Sequence, residues 1–181
     1  MPAPVVTAPP LGTTSYGDPM SPSRRSAGIL LYRIRENRPQ VLLVHPGGPL
    51  WARKDNGAWS LPKGEHADNE DPAAAALREF HEETGLDLTG ADMHDLGEVV
   101  QKSGKRVRAW AAEGEFAVEN LTSNTFEMPW PPRTGQTRHF PEVDRAEWYE
   151  LATARDKLNP AQTAFLDRLV PELRDRGRLT P

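Results

Sequence analysis

A single bounded helix constrains this chain more than any other feature. Asp71 is an N-cap residue followed by Pro72 at the first helical position, four alanines continue the run, and Gly85 stands where a C′ glycine closes a helix. The spacing predicts a helix over 72–84. On a wheel of about 100° per residue, Ala73, Ala76, Leu77, Phe80 and Thr84 share one face. Glu79, Glu82 and Glu83 fall within about 100° of one another on the other side. Like charges at this spacing repel by about a few tenths of a kcal/mol per pair, a conflict that a divalent cation removes. Hard cations such as Mg²⁺ prefer carboxylate oxygen. Glu79 and Glu83, four residues apart, can converge on one or two ions with Glu82 beside them. Glu70, just ahead of the helix, can reach the same cluster, and Arg78 can hold the Glu82 carboxylate in place. Any one of these glutamates alone would be an ordinary solvated residue; the metal reading rests on their joint spacing.

Around this helix the chain reads as alternating strands and turns. Residues 26–34 and 41–44 are rich in leucine and β-branched residues and predict two neighbouring strands. Residues 45–57 hold Gly47, Gly48, Pro49 and Asn56-Gly57 and read as loop. Residues 59–64 form a short extended segment, and 95–101 with 106–116 form a hairpin about Ser103-Gly104. Residues 142–150 read as a further strand or edge. Asn159-Pro160 repeats the cap-plus-proline signal, and Phe165, Leu166, Leu169 and Leu173 give a second helix over 160–174. Strands on both sides of a helix, with a closing helix, predict a mixed α/β layered fold.

Composition bounds the function. The 181 residues suffice for one domain with an apolar core. Six of the 18 prolines fall in the first 22 residues without apolar periodicity, so 1–25 is expected to be a disordered arm, 26–174 the folded domain and 175–181 a frayed tail. The absence of cysteine excludes disulfides, thiolate metal sites and a thiol nucleophile. No apolar stretch approaches the roughly 18–20 residues that span a bilayer, so a soluble cytoplasmic protein is expected. The net charge of −4 conceals a division: residues 64–83 carry a net −6 and the rest of the chain +2. Duplex nucleic acid is not an expected partner, whereas a polyanion arriving with its cations is. Phosphate-loop, dinucleotide-binding and zinc-protease motifs are all missing. His45, His66, His81 and His94 are scattered and read as surface or packing residues.

Gly64, Glu70, Arg78, Glu79, Phe80, Glu82, Glu83, Gly85 and Leu86 together resemble the box of the MutT-like Nudix hydrolases, G-x5-E-x7-R-E-U-x-E-E-x-G-U, at all nine positions. A chance match is on the order of 10⁻⁷ from average residue frequencies. The resemblance implies a Nudix-type α/β/α sandwich with a mixed sheet and the box helix packed on it. It also implies hydrolysis of a pyrophosphate bond in a nucleoside diphosphate linked to another group, with Mg²⁺ or Mn²⁺. By the same resemblance Glu79 and Glu83 are the principal metal ligands, Glu82 assists, and a backbone carbonyl near Gly64 completes the site, with Arg78 in support. Glu79 is the first candidate for general base, and Glu113 or Glu115 are alternatives from a later strand.

Trp59-Ser-Leu-Pro-Lys63-Gly64 resembles the W-x-x-P-K-G lead-in of Nudix enzymes that cleave dinucleoside polyphosphates, which places Lys63 against phosphate and Trp59 against substrate. The long segment 124–141 contains Trp130, Arg133, Arg138, His139 and Phe140 and is expected to be a specificity loop, with Arg133 contacting phosphate. The whole is similar to a bacterial subgroup of predicted nucleoside triphosphate pyrophosphohydrolases. A nucleoside triphosphate and a dinucleoside polyphosphate both remain open as substrates, and the chain is expected as monomer or homodimer. The alternative function is a nucleotide-sensing Nudix domain that binds without turnover.

Overall fold

In the computed structural model, residues 24–180 are described, so the expected arm lies outside them except for its last two residues. Its final residue, Arg25, already opens β1 (Arg25–Arg35). There follow β2 (Arg38–Pro46), β3 (Lys63–Glu65), α1 (Pro72–Thr84), β4 (Met93–Val100) and β5 (Arg106–Glu113). The chain continues through β6 (Thr125–Pro129), β7 (Thr137–Pro141), β8 (Val143–Glu150), α2 (Leu151–Lys157) and α3 (Thr163–Asp175).

The main sheet runs β4-β5-β1-β2-β8, with β3 pairing the start of β1. It is mixed: β1 and β5 are parallel, and the other pairs are antiparallel. The central strands are buried on both faces because alternate residues serve opposite cores. Leu30, Tyr32, Val41 and Leu43 join Phe165, Leu166, Leu169 and Leu173 of α3 on one side. Ala27, Ile29, Leu31, Leu42 and Val44 join Ala75, Ala76 and Phe80 of α1 on the other. The expected α/β/α sandwich is the observed one.

The box helix forms as its sequence dictates. Asp71 accepts a hydrogen bond from the Ala74 N–H at 2.9 Å, and Gly85, at φ 83°, returns its N–H to the His81 carbonyl. Phe80 anchors the helix on the sheet with no exposure, and burying such a ring is worth about 3–5 kcal/mol against alanine.

Several expectations are corrected. Residues 160–162 are a 3₁₀ turn, so the closing helix begins at Thr163 and is preceded by α2, which is too short to show a helical period in sequence. The segment 124–141 is an antiparallel hairpin rather than a loop, with Phe126 opposite Phe140. Residues 176–180, expected to fray, are tied down instead. The Arg178 guanidinium pairs with Glu113, Leu179 packs on the α3-side core, and the Thr180 N–H donates to Asn37. No helix among the described residues is long and apolar enough to cross a membrane.

Candidate active site

Glycine at position 64 lets β3 run directly beneath α1. A Cβ there would stand 1.8 Å from Glu79 Oε2. One helical turn on, a Glu83 carboxylate oxygen accepts the Lys63 N–H at 3.0 Å, tying the strand to the last turn of the helix. Glu79 and Glu83 therefore lean into the protein: the Glu79 side chain is only 13% exposed, against 37% for Glu82.

Burial dominates their acidity. It raises Glu79 above the usual carboxylate range, and it pushes Glu83 up to about 7 despite the opposing charge of Lys63. Burial likewise lowers the Lys63 ammonium. Arg78 binds the cluster together. Its guanidinium grips Glu70 through two bonds of 3.0 and 3.2 Å, Glu79 at 2.6 Å and Glu82 at 3.4 Å. The Arg78 hydrogen bonds hold Glu70 below its ordinary pKa.

Among the described residues no three acidic or histidine side chains form a ready-made cage for an ion. The donor set nevertheless suits a hard divalent cation. Mg²⁺ commonly takes one or two protein carboxylates and completes its shell with water and substrate phosphate. Two carboxylates whose charged forms are disfavoured by burial, one of them over a glycine that leaves its oxygens room, match that demand.

A cavity of about 200 Å³ opens beside this cluster, with Lys63, Glu83, Glu142, Gln101 and Trp51 on its walls. The site residues read from sequence divide accordingly. Lys63 and Glu83 line the cavity. Trp59 borders it but is 1% exposed, and its indole N–H goes to Asp55 at 2.8 Å, so it is a core residue with no free stacking face. Arg133 is not among the lining residues; it sits exposed in the β6–β7 turn at φ 65°.

Glu113 and Glu115 do not line the cavity either. Glu113 pairs with Arg178, and Glu115 with Arg33 and Arg35. The carboxylate that sequence reading missed is Glu142, whose charge acts on both Glu79 and Glu83. The missed aromatic is Trp51, 38% exposed. A large aromatic inside a Gly- and Pro-rich loop was the one sequence signal that could have marked it.

Comparison with known proteins bears on the family and the fold. A family model described as NUDIX domain matches residues 22–169. An RNA pyrophosphohydrolase of Bartonella henselae is 36% identical over 69 residues, covering 36% of this chain and 37% of the relative. An RNA pyrophosphohydrolase of Cellvibrio japonicus is 44% identical over 55 residues, covering 29% and 32%. The matches thus span about a third of the length of these curated relatives. Among solved structures, a C. elegans Ap4A hydrolase in a binary complex superposes with a TM-score of 0.58 at 22% identity, covering 84% of this chain and 98% of that one. At that identity the likeness is one of fold.

Proposed function

The chain belongs to the Nudix family, and on that premise we propose that it is a metal-dependent pyrophosphohydrolase acting on a nucleoside diphosphate linked to a further group. The observation that carries this reading is the burial of the Glu79 and Glu83 carboxylates over Gly64, beside a cavity that also presents Lys63. Glu79, Glu83 and the Gly64 carbonyl would hold Mg²⁺ or Mn²⁺, with Glu82 assisting. The bound ion supplies charge neutralisation on phosphate oxygens and a more acidic water.

The chain's own groups do the rest. The Lys63 ammonium faces the phosphate chain as a point charge. Arg78 fixes Glu79, and a Glu79 oxygen takes the proton of the attacking water. The water oxygen bonds to phosphorus as the anhydride P–O bond breaks, releasing two phosphate-bearing products. Glu142, on the cavity wall, replaces Glu113 and Glu115 as the alternative proton acceptor. The substrate is a dinucleoside polyphosphate, as the Trp59-to-Gly64 lead-in implies, or a nucleoside triphosphate, as the likeness to the bacterial pyrophosphohydrolase subgroup implies.

The test is incubation with a panel of both classes and Mg²⁺, with products resolved by ion-exchange chromatography. Cleavage abolished by chelator is the expected result. Tight binding with the ligand recovered intact would support a nucleotide-sensing role instead, and inertness toward the whole panel would sink the hydrolase reading.

A further inference from the structure

Asn159, between α2 and the 160–162 turn, lines the same cavity as Lys63, Glu83 and Glu142. Three of its four polar groups are committed. Its backbone N–H donates to the Trp59 carbonyl at 2.8 Å, its own carbonyl accepts the Gln162 N–H at 2.8 Å, and its side-chain Oδ1 accepts the Ala161 N–H at 3.1 Å. Only an oxygen can accept from a backbone N–H, so this last bond fixes which end of the carboxamide is which. The Nδ2 amide group has no partner among the described residues and is the one polar group the half-buried side chain has left to offer.

We propose that Asn159 is a specificity-determining residue of this site. Its Nδ2 donates to a carbonyl oxygen on the edge of the substrate's base, so that a 6-oxopurine, hypoxanthine or guanine, is taken in preference to the 6-aminopurine adenine. The inference rests on the nucleotide hydrolase reading above.

The cavity has a charged part and an uncharged part. Glu83 accepts the Lys63 N–H, and the charge of Glu142 acts on Glu83, so these three form one group. Asn159 belongs with Trp59, Ser60, Leu61 and Gln162, which are joined by backbone and amide hydrogen bonds and carry no charge. A nucleotide whose phosphates meet the carboxylates through a cation has a flat, neutral ring left to place. Apolar walls with a few fixed polar atoms suit such a ring, and the uncharged part supplies them.

The neighbouring amides do not share this role. Gln162 is fully buried, with its Oε1 accepting the Leu61 N–H at 3.1 Å and its Nε2 donating to Ser60 Oγ at 3.0 Å. The Ser60 hydroxyl in turn donates to the Leu61 carbonyl at 2.7 Å. Gln101 is held only through its backbone, to Lys105 and Gly104, so its carboxamide can turn either end to a ligand and discriminates between none.

Discrimination follows from a fixed donor. A carbonyl at C6 accepts from Nδ2, whereas the amino group at C6 of adenine sets donor against donor. Asn159→Asp keeps an oxygen on the Ala161 N–H and replaces the free donor with an acceptor, which suits the amino group instead. Asn159→Ser keeps an oxygen for the same bond and removes the amide.

ITP and ATP, each with Mg²⁺, differ only along that edge of the ring and serve as the probes. The ratio of kcat/KM for ITP to that for ATP is expected to be about ten in the wild type, about one in Asn159→Ser and below one in Asn159→Asp. The charge added by aspartate acts on both substrates alike and cancels in the ratio. A wild-type ratio near one, or the same ratio in all three proteins, overturns the proposal. If neither compound is hydrolysed, the hydrolase reading fails, and the ratio of calorimetric Kd values for the two compounds across the same proteins decides the role of Asn159. Absence of binding by both compounds overturns that role as well.

Discussion

Gly64 passes so close beneath Glu79 that a methyl group there would overlap the carboxylate, with Cβ 1.8 Å from Oε2 and 2.0 Å from Cδ. No such space exists for any side chain, and the intruded group is the one assigned to proton transfer. Gly64→Ala should lower kcat by about 10²-fold through displacement of Glu79, at a stability cost of about 1–3 kcal/mol. Steady-state kinetics and thermal unfolding check both; full activity would remove Glu79 from the chemistry.

Glu83→Gln replaces a carboxylate whose charge is disfavoured by burial with a neutral isostere. The metal-free protein should be as stable as wild type or more so, while turnover falls by at least about 10²-fold. Glu79→Gln should behave alike. Normal Mg²⁺-dependent turnover in both variants would refute the metal assignment.

Arg78 spans three carboxylates with a planar fork, a geometry that lysine cannot copy. Arg78→Lys should weaken Mg²⁺ activation by about 10–100-fold and leave the helix folded. The activation curve against Mg²⁺ concentration measures the first effect, and circular dichroism the second.

Arg133 holds a left-handed backbone conformation, exposed in a hairpin turn and away from the cavity walls. Arg133→Gly should be neutral or stabilising by up to about 1 kcal/mol, with KM for nucleotide unchanged. A large rise in KM would return the turn to the substrate.

Asp95 pairs with Arg108 and accepts the Gly97 N–H at 2.8 Å, spanning the bulge where β4 slips against β5. The Arg108 hydrogen bond holds its carboxyl below the ordinary value. A depressed folded-state pKa contributes stability above the unfolded pKa, near pH 4, and that contribution is lost as pH falls through the folded value. Asp95→Asn should therefore lower Tm at neutral pH by a small amount, with the difference vanishing under acid. The pair is half exposed, which keeps the effect modest. Thermal melts across the acid range would show convergence of the two proteins, and parallel curves would contradict it.

The amino-acid sequence by itself determined the box helix, its caps, its packed face and its carboxylates, because these follow from local rules acting within one or two turns. It also determined the central strands, where every residue from Ile29 to Leu31 and from Val41 to Val44 is buried. It misjudged residues whose role depends on partners far along the chain. Trp59 is buried because Asp55, Tyr149 and His45 close around it, and Glu142 lines the cavity with Glu83 where its carbonyl accepts the Gly47 N–H just past β2. The hairpin β6–β7 pairs residues through a turn whose left-handed Arg133 carries no glycine-like signal. Only the tertiary structure could set Asp144 against His45, 99 residues away, and Trp51 on the wall of the cavity. Side-chain periodicity records which face of an element is buried, whereas which loop side chains meet across the sheet is decided by strand order, and strand order leaves no local trace.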